Sequence, residues 1–349
     1  MPHIDRKLTV CFTNFMATKT EERRERNAAI ERGLDFVYRT SNKQKHFANY
    51  GAFMICCFAF VGATARNQKL RRIGRDRAQQ LLRRWSQMHP ILPADLSSDL
   101  LHAFVVVRYA QSRIGIRDSA GASAIRAAAS RFSAADLLGF DPAKEPPPND
   151  LPYQCDCTFQ NQRGRKACKQ CRRRLRIQSR YRVWMEALAN TYVAERSGIL
   201  FGARYAEVLR WLPSMRPYPK AGEHDEETVR AAIYAVTHVV YTLNDYNTFK
   251  LSPRLLPQEF AYLKTNVRDA CTRHDTELLG ELLDSLQALG LTAKDPLIQN
   301  GTRYLMQEQN NDGSWGDPRE QNIRTRCHTT WTAIDGLRAY AWRGVRLSM

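Results

Sequence analysis

The sequence predicts an all-α protein, a succession of antiparallel helix hairpins interrupted near its middle by a compact cysteine module. Three observations predict it. Apolar residues recur at helical spacing through most of the 349 residues, and no convincing period-2 stretch marks a strand. The breaks between periodic stretches are short, so successive helices must fold back on one another. Cys155, Cys157, Cys168 and Cys171 fall within seventeen residues, as Cys-Asp-Cys, ten residues, then Cys-Lys-Gln-Cys.

The elements follow in order. Residues 1–15 lack helical periodicity, Met16 opens a more ordinary start, and 1–19 reads as a disordered arm. A charged amphipathic helix is expected over 20–39 and an almost wholly apolar one over 45–64. The longest apolar run, 50–65, is shorter than the roughly 20 residues of a membrane span, so it reads as a buried helix and no span is expected. Residues 67–88 carry Leu70, Ile73, Leu81, Leu82 and Trp85 on one side and arginines on the other. Helices over 95–112 and 120–132 complete an N-terminal helical part, 20–144. Glu145-Pro146-Pro147-Pro148 stiffens a linker, which with the cysteines forms a module over 145–177. A C-terminal helical part, 178–349, follows: a helix from about 175 to 197, a break at Pro213, Pro217 and Pro219, then helices near 224–245, 257–273, 275–290, 295–308 and 328–343.

Composition bounds the function. With 43% apolar and 25% charged residues the chain can bury a sizeable core. The net charge of +18 is unevenly placed. Residues 151–220 hold 15 Lys/Arg against 4 Asp/Glu, whereas 221–300 hold 7 against 12. Nine cysteines, an odd number, set among arginines and without a signal peptide point to thiolates in a reducing, cytoplasmic setting rather than a disulfide framework.

The four clustered cysteines have metal-ligand spacing. A CxxC turn aims two sulfurs at one ion and a second short-spaced pair completes a tetrahedral shell; ligand softness favours zinc over an iron–sulfur cluster. Four thiolates leave no open position, so the ion is structural. Arg163, Arg165, Lys166, Lys169, Arg172, Arg173, Arg174, Arg176, Arg180 and Arg182 surround it. They either balance the tetrathiolate and face solvent, or contact phosphate in nucleic acid or an acidic partner.

Three helices have two distinct faces. In 229–245, Val229, Ile233, Val236, Val240 and Leu243 form one stripe; Tyr234, His238, Tyr241 and Asp245 form another, nearly opposite. In the last helix Ile334, Leu337 and Ala341 face one way and His328, Trp331, Asp335 and Trp342 another. Near residue 46, His46, Tyr50, Phe53, Cys57 and Phe60 share a face. Such helices either line a cavity or are buried on both sides. On the cavity alternative, His238 and His328 are acid–base groups or ligands of a second metal, Asp245 and Asp335 orient them, and Tyr234, Tyr241 and Trp331 bind a small molecule. Glu277, Glu281 and Asp284, opposite a leucine face, read as solvated surface, and Asp275 as a helix cap.

Residues 301–338 contain Gln309-Asn310-Asn311-Asp312-Gly313-Ser314-Trp315-Gly316 after a helix ending in Tyr304-Leu305, and then Cys327-His328-Thr329-Thr330-Trp331 with Gly336-Leu337. This stretch resembles the repeat of the terpenoid cyclase and protein prenyltransferase superfamily. The resemblance implies an α/α toroid and a small, apolar or isoprenoid-like substrate in its central cavity. It places His328 near the zinc-binding histidine of prenyltransferases and makes Cys327-His328 similar to the zinc-ligand pair of lanthionine cyclases. The Asp-x-Asp-Asp and Asp-Asp-x-x-Asp motifs of the cyclases are absent. Locally, Gln309 should bond loop backbone, Gly313 and Gly316 should permit tight turns, and Trp315 should pack across the helix ends.

Overall fold

A computed structural model of the chain describes residues 19–93, 95–157, 159 and 161–347. The expected arm, but for Lys19, lies outside these residues. Helix accounts for 60% and strand for 4%. Thirteen α-helices are present among the described residues: α1 Lys19–Ser41, α2 Gln44–Thr64, α3 Gln68–Met88, α4 Ser98–Arg113, α5 Ser119–Ala129, α6 Ala134–Leu138, α7 Arg180–Arg196, α8 Tyr205–Leu209, α9 Glu226–Leu243, α10 Pro257–Thr272, α11 Thr276–Ala288, α12 Pro296–Gln307 and α13 Ile323–Leu337. Their starts are chemically marked. Ser97, Asp118, Ser179, Asp225, Asp275, Asp295 and Asn322 each accept a backbone N–H of the first turn.

The chain divides into two compact units, Met1–Arg77 with Asn247–Met349 (unit 1) and Ala78–Tyr246 (unit 2), the boundary falling within α3. This division cuts across the linear one into 20–144, 145–177 and 178–349: the two ends of the chain share unit 1, and the cysteine module belongs to unit 2.

In unit 1, α11 packs most extensively on α13, α1 packs on both α2 and α13, and α10 and α12 flank α11. The α11–α13 crossing depends on glycine. A Cβ on Gly280 would lie 2.4 Å from the Thr332 carbonyl oxygen, and one on Gly336 would lie 2.8 Å from that of Gly280. Without side chains there, the two backbones approach closely enough for their polar stripes to meet. The Gln309 loop has its expected form. Gln309 Nε2 donates to Gly313 O and Ala29 O, each at 2.9 Å. Gly313 takes φ +90°. Trp315 is fully buried and donates from Nε1 to Leu305 O at 2.7 Å; truncating such a side chain costs about 3–5 kcal/mol. Helix α2 is long and apolar enough to cross a membrane by length and composition, and most of it is buried within the protein.

Two expectations need correction here. The last helix does not run to 343: α13 ends at Leu337, and Arg338 adopts an extended conformation, so Ala341 and Trp342 do not share a helix face with His328. The following residues form a short parallel ladder, Lys250–Leu251 (β1) with Val345–Arg346 (β2), too brief for period-2 patterning to reveal.

In unit 2, α7 packs most extensively on α9, with α4 and α8 also against α7. The buried Trp184 donates from Nε1 to Val208 O at 2.9 Å, joining the α7 core to α8. The cysteine module is the irregular segment between α6 and α7, closed by an antiparallel bridge between Pro152 and Ile177.

Candidate metal centre and acid–base site

The four cysteines converge. One Sγ or ligand-type atom from each of Cys155, Cys157, Cys168 and Cys171 lies within 4.8 Å of all the others. Cys155 and Cys171 sulfurs are 3.4 Å apart, those of Cys157 and Cys168 3.6 Å. A zinc ion with Zn–S bonds of about 2.3 Å requires sulfur separations of roughly 3.8 Å in a tetrahedron, so the sulfurs need move only slightly. The knuckle is built by backbone bonds. Arg172 N donates to Cys168 O at 3.0 Å, Cys168 N to Arg173 O at 2.8 Å, and Leu175 N to Lys166 O at 2.9 Å. Arg172 takes φ +63° to make the turn. Backbone N–H donation from Cys171, aided by Asn161, lowers the Cys168 thiol to about 6 despite its desolvation. This sulfur is therefore readily given up as thiolate, the form a metal needs. Leu175 and Phe159 pack against the cluster.

The basic residues around it differ in their partners: Arg182 pairs with Glu186 at 2.6 Å, and Arg180 donates to Ser214 O at 2.6 Å. Arg163 pairs with Glu145 at 2.7 Å and with Asp150, Arg173 with Asp156 at 3.4 Å, and Arg176 with Glu227 at 2.9 Å. Arg165, Lys166, Lys169, Arg172 and Arg174 are exposed and form no ion pair among the described residues.

The second face of α9 leads to a different arrangement from the one expected. His238 Nδ1 donates to Tyr234 O one turn back, at 2.8 Å, and Tyr241 meets the ring edge-on at 5.4 Å. Tyr234 OH accepts from Arg230 at 2.8 Å. Asp245 lies beyond the helix with φ +54°, only 4% exposed. Its Oδ1 accepts from Tyr192 OH at 2.7 Å and Tyr109 OH at 3.3 Å; its Oδ2 accepts from Arg113 at 3.1 Å; Arg196 is 3.5 Å away. Burial raises both tyrosine hydroxyls, so they stay donors at all ordinary pH. Asp245 is thus a structural clamp on α4 and α7 rather than a partner for a histidine. Tyr109, Arg113 and Tyr192 had no distinguishing spacing in the sequence.

In unit 1, α11 and α13 bring two stripes of ionisable groups face to face. His328 Nδ1 donates to Glu277 Oε1 at 2.9 Å, and Thr329 Oγ1 donates to Glu277 Oε2 at 3.0 Å. Burial disfavours the imidazolium, but the Glu277 hydrogen bond and the Glu277 and Glu281 charges outweigh it, so His328 titrates above its ordinary range. The ring remains 33% exposed, enough to exchange protons. Phe53 lies 5.7 Å from it, and Trp331 packs edge-on to Phe53 at 4.9 Å and against Phe60 at 5.6 Å. The aromatic face of α2 therefore points where its spacing placed it.

Deeper along the same crossing, Asp335 is paired with Arg338 Nε at 2.8 Å. Arg338 is 1% exposed and also donates to Phe60 O and Thr64 Oγ1, at 3.2 and 2.8 Å. Asp284 accepts from Asn247 Nδ2 at 2.9 Å. Burial, with the Asp335 charge added, pushes the Asp284 carboxyl up to about 8; burial raises Asp335 too, despite Arg338. Arg338 pairs with Asp335 and acts on Asp284 through its charge alone, so Asp284 is the carboxyl that burial shifts toward its neutral form.

These contacts correct the expectation that Glu277, Glu281 and Asp284 form a solvated face. Glu281 and Asp284 are 2% and 1% exposed. Their +4, +3 spacing opposite a leucine stripe carried the signal: it is the same two-sided habit seen in α9 and α13. The expected second metal centre also finds no support. Among the described residues, only the four cysteines bring three or more ligand groups together, and His238 and His328 belong to different units. Asp335 is occupied by Arg338 rather than by either histidine.

Comparison with known proteins matches no family model, no curated protein and no solved structure.

Proposed function

We propose that the chain is an enzyme of proton-transfer chemistry acting on a small apolar or cationic molecule, with His328 as its working group, Glu277 as the residue that orients it, and a structural zinc ion in the four-cysteine knuckle. The observation that carries the proposal is the His328–Glu277 hydrogen bond beside the Phe53 and Trp331 rings. A carboxylate on Nδ1 fixes the tautomer and leaves Nε2 as the exchanging nitrogen. With its titration raised, His328 keeps its proton to higher pH than an ordinary imidazole and serves as a general acid, then as a base when that proton has left. Aromatic faces beside it suit an apolar substrate or one that develops positive charge. Asp335 and Arg338 hold the floor of the crossing.

The toroid-like arrangement and isoprenoid-like substrate suggested by residues 301–338 belong to this proposal. The Gln309, Gly313 and Trp315 contacts support the local part of it. An all-thiolate zinc shell has no position for substrate, which is why chemistry is assigned to His328 and not to the metal. Among the described residues no cysteine is in a disulfide, which suits a reducing compartment such as the cytoplasm.

The test uses unsaturated isoprenoid hydrocarbons and alcohols incubated with the protein in D2O. Deuterium is expected to enter substrate carbon, and His328→Gln to abolish its entry. Transfer that persists in His328→Gln removes the residue from the mechanism; no transfer by the unaltered protein removes this substrate class.

A second reading is favoured by one observation: five exposed bases on the knuckle, Arg165, Lys166, Lys169, Arg172 and Arg174, form no ion pair among the described residues. They suit docking of nucleic acid or an acidic partner. Salt-sensitive retention of oligonucleotide, lost when Arg172 and Arg174 become Ala, is its test; no retention at low salt excludes nucleic acid.

A further inference from the structure

The hairpin that closes the four-cysteine cluster carries a charge that its surroundings do not neutralise. Cys168 N donates to Arg173 O and Leu175 N to Lys166 O, at 2.8 and 2.9 Å, flanking an antiparallel bridge between Ala167 and Arg174. Successive residues of a strand face opposite ways. Cys168 and Leu175 turn into the cluster, where both are buried, and Arg174 turns outward. Residues 161–176 hold eight Lys/Arg and no Asp/Glu. Three of the eight, Arg163, Arg173 and Arg176, pair with acidic groups outside the segment. A zinc tetrathiolate carries about two negative charges, too few to balance the remaining five bases.

The composition of this surface decides between partners. The exposed residues from 161 to 176 are all polar except Gly164 and Ala167. A protein–protein interface is organised around an apolar, aromatic-rich core from which Lys is depleted, and this surface offers none. Nucleic-acid interfaces are polar and strongly positive. Single strands are held by stacking their bases on exposed aromatic rings. The aromatic residues flanking the hairpin in sequence are engaged: Phe159 packs on the cysteine cluster, and the Arg176 guanidinium lies 5.2 Å over the Tyr153 ring. A duplex needs no stacking platform. It presents one phosphate charge about every 1.7 Å of its axis, and its major groove admits a two-stranded ribbon. Backbone bonds hold the hairpin in shape before docking, which lowers the ordering cost.

We propose that the hairpin docks on duplex nucleic acid, with Arg165, Lys166, Lys169, Arg172 and Arg174 meeting backbone phosphates. The proposal rests on the second reading above and narrows it to one class of partner.

The test measures binding of the full chain to a short DNA duplex, the matching RNA duplex, their single strands and polyglutamate, by fluorescence anisotropy across a salt series. Duplex binding is expected to weaken with salt along a log–log slope of up to about −4.5, with single strands and polyglutamate at least about tenfold weaker. The DNA and RNA arms identify which duplex is preferred. Arg165→Gln with Arg174→Gln should make the slope shallower by about 2. The same loss of charge off the hairpin, at the exposed Arg83 and Arg117, should leave it in place. Polyglutamate or single strands bound as tightly as duplex overturn the proposal and leave the second reading standing. No binding of any polyanion at low salt, or a slope indifferent to Arg165 and Arg174, overturns both. The ligand comparison uses the unaltered chain and stands whether or not a variant folds.

Discussion

At the scale of single residues, environment decides which ionisable groups are available for chemistry. His328 and His238 are both helical histidines on aromatic faces, but their Nδ1 partners differ: a carboxylate for His328 and a backbone carbonyl for His238. The carboxylate raises the His328 imidazole, which stabilises the fold below the unfolded-state value and loses that stabilisation as pH rises through the folded one. Asp284 behaves in the opposite sense to an ordinary salt-bridged aspartate. Its folded carboxyl titrates at about 8, whereas the unfolded one ionises near 4, so the folded state is penalised increasingly as pH rises between the two. Asp284→Asn is therefore expected to stabilise the protein at pH 8 relative to pH 5, by on the order of 1–3 kcal/mol, read from urea denaturation at the two values. A stabilisation independent of pH would show that the carboxyl is already ionised at pH 5. The sequence exposed the two histidines and the aromatic residues through spacing. It did not expose Glu277 or Arg338 as partners, because each is defined by a residue across a helix crossing rather than along its own helix.

At the scale of elements, periodicity and caps located the long helices within a few residues, as α2, α10 and α11 illustrate. The five-residue α6 and α8 were invisible, being too short to show a period. The α13 overrun to 343 has a specific cause: Tyr340 and Trp342 continue an aromatic pattern, but their stretch is used for bridging Ala65 to Tyr340 and for approaching the short strand. The element that organises the proposed site is the α11–α13 crossing. Gly280→Ala places a Cβ against the Thr332 carbonyl with nothing flexible to yield. It is expected to cost about 1–3 kcal/mol and to weaken the His328–Glu277 bond as the helices separate. Thermal melting with an His328 chemical-shift measurement checks both parts; a variant with unchanged melting would mean that the close approach is not required.

At the scale of the whole molecule, the linear order of the chain is a poor guide to its units. Residues from both ends build unit 1, and the composition shift at 145–177 marks an irregular loop within unit 2 rather than a boundary between bodies. The four-cysteine cluster was legible because its members are close in sequence; the His328–Glu277 pair was only half legible because its partners are 51 residues apart. Metal analysis is expected to find one zinc per chain. Cys168→Ser should lose it and lower the melting temperature, since a structural zinc can contribute on the order of 10 kcal/mol in small metal-folded modules. A metal-free chain whose stability is indifferent to Cys168→Ser would leave the cysteines as packing residues alone.

The proposed chemistry depends on an imidazole whose affinity for a proton is set by the carboxylate across the crossing. NMR titration of the His328 ring in the native chain and in Glu277→Gln measures that dependence directly. The expected result is a midpoint above the ordinary imidazole value of 6.5 in the native chain and a lower one in the variant. An ordinary or depressed midpoint, or one that Glu277→Gln leaves in place, would contradict it.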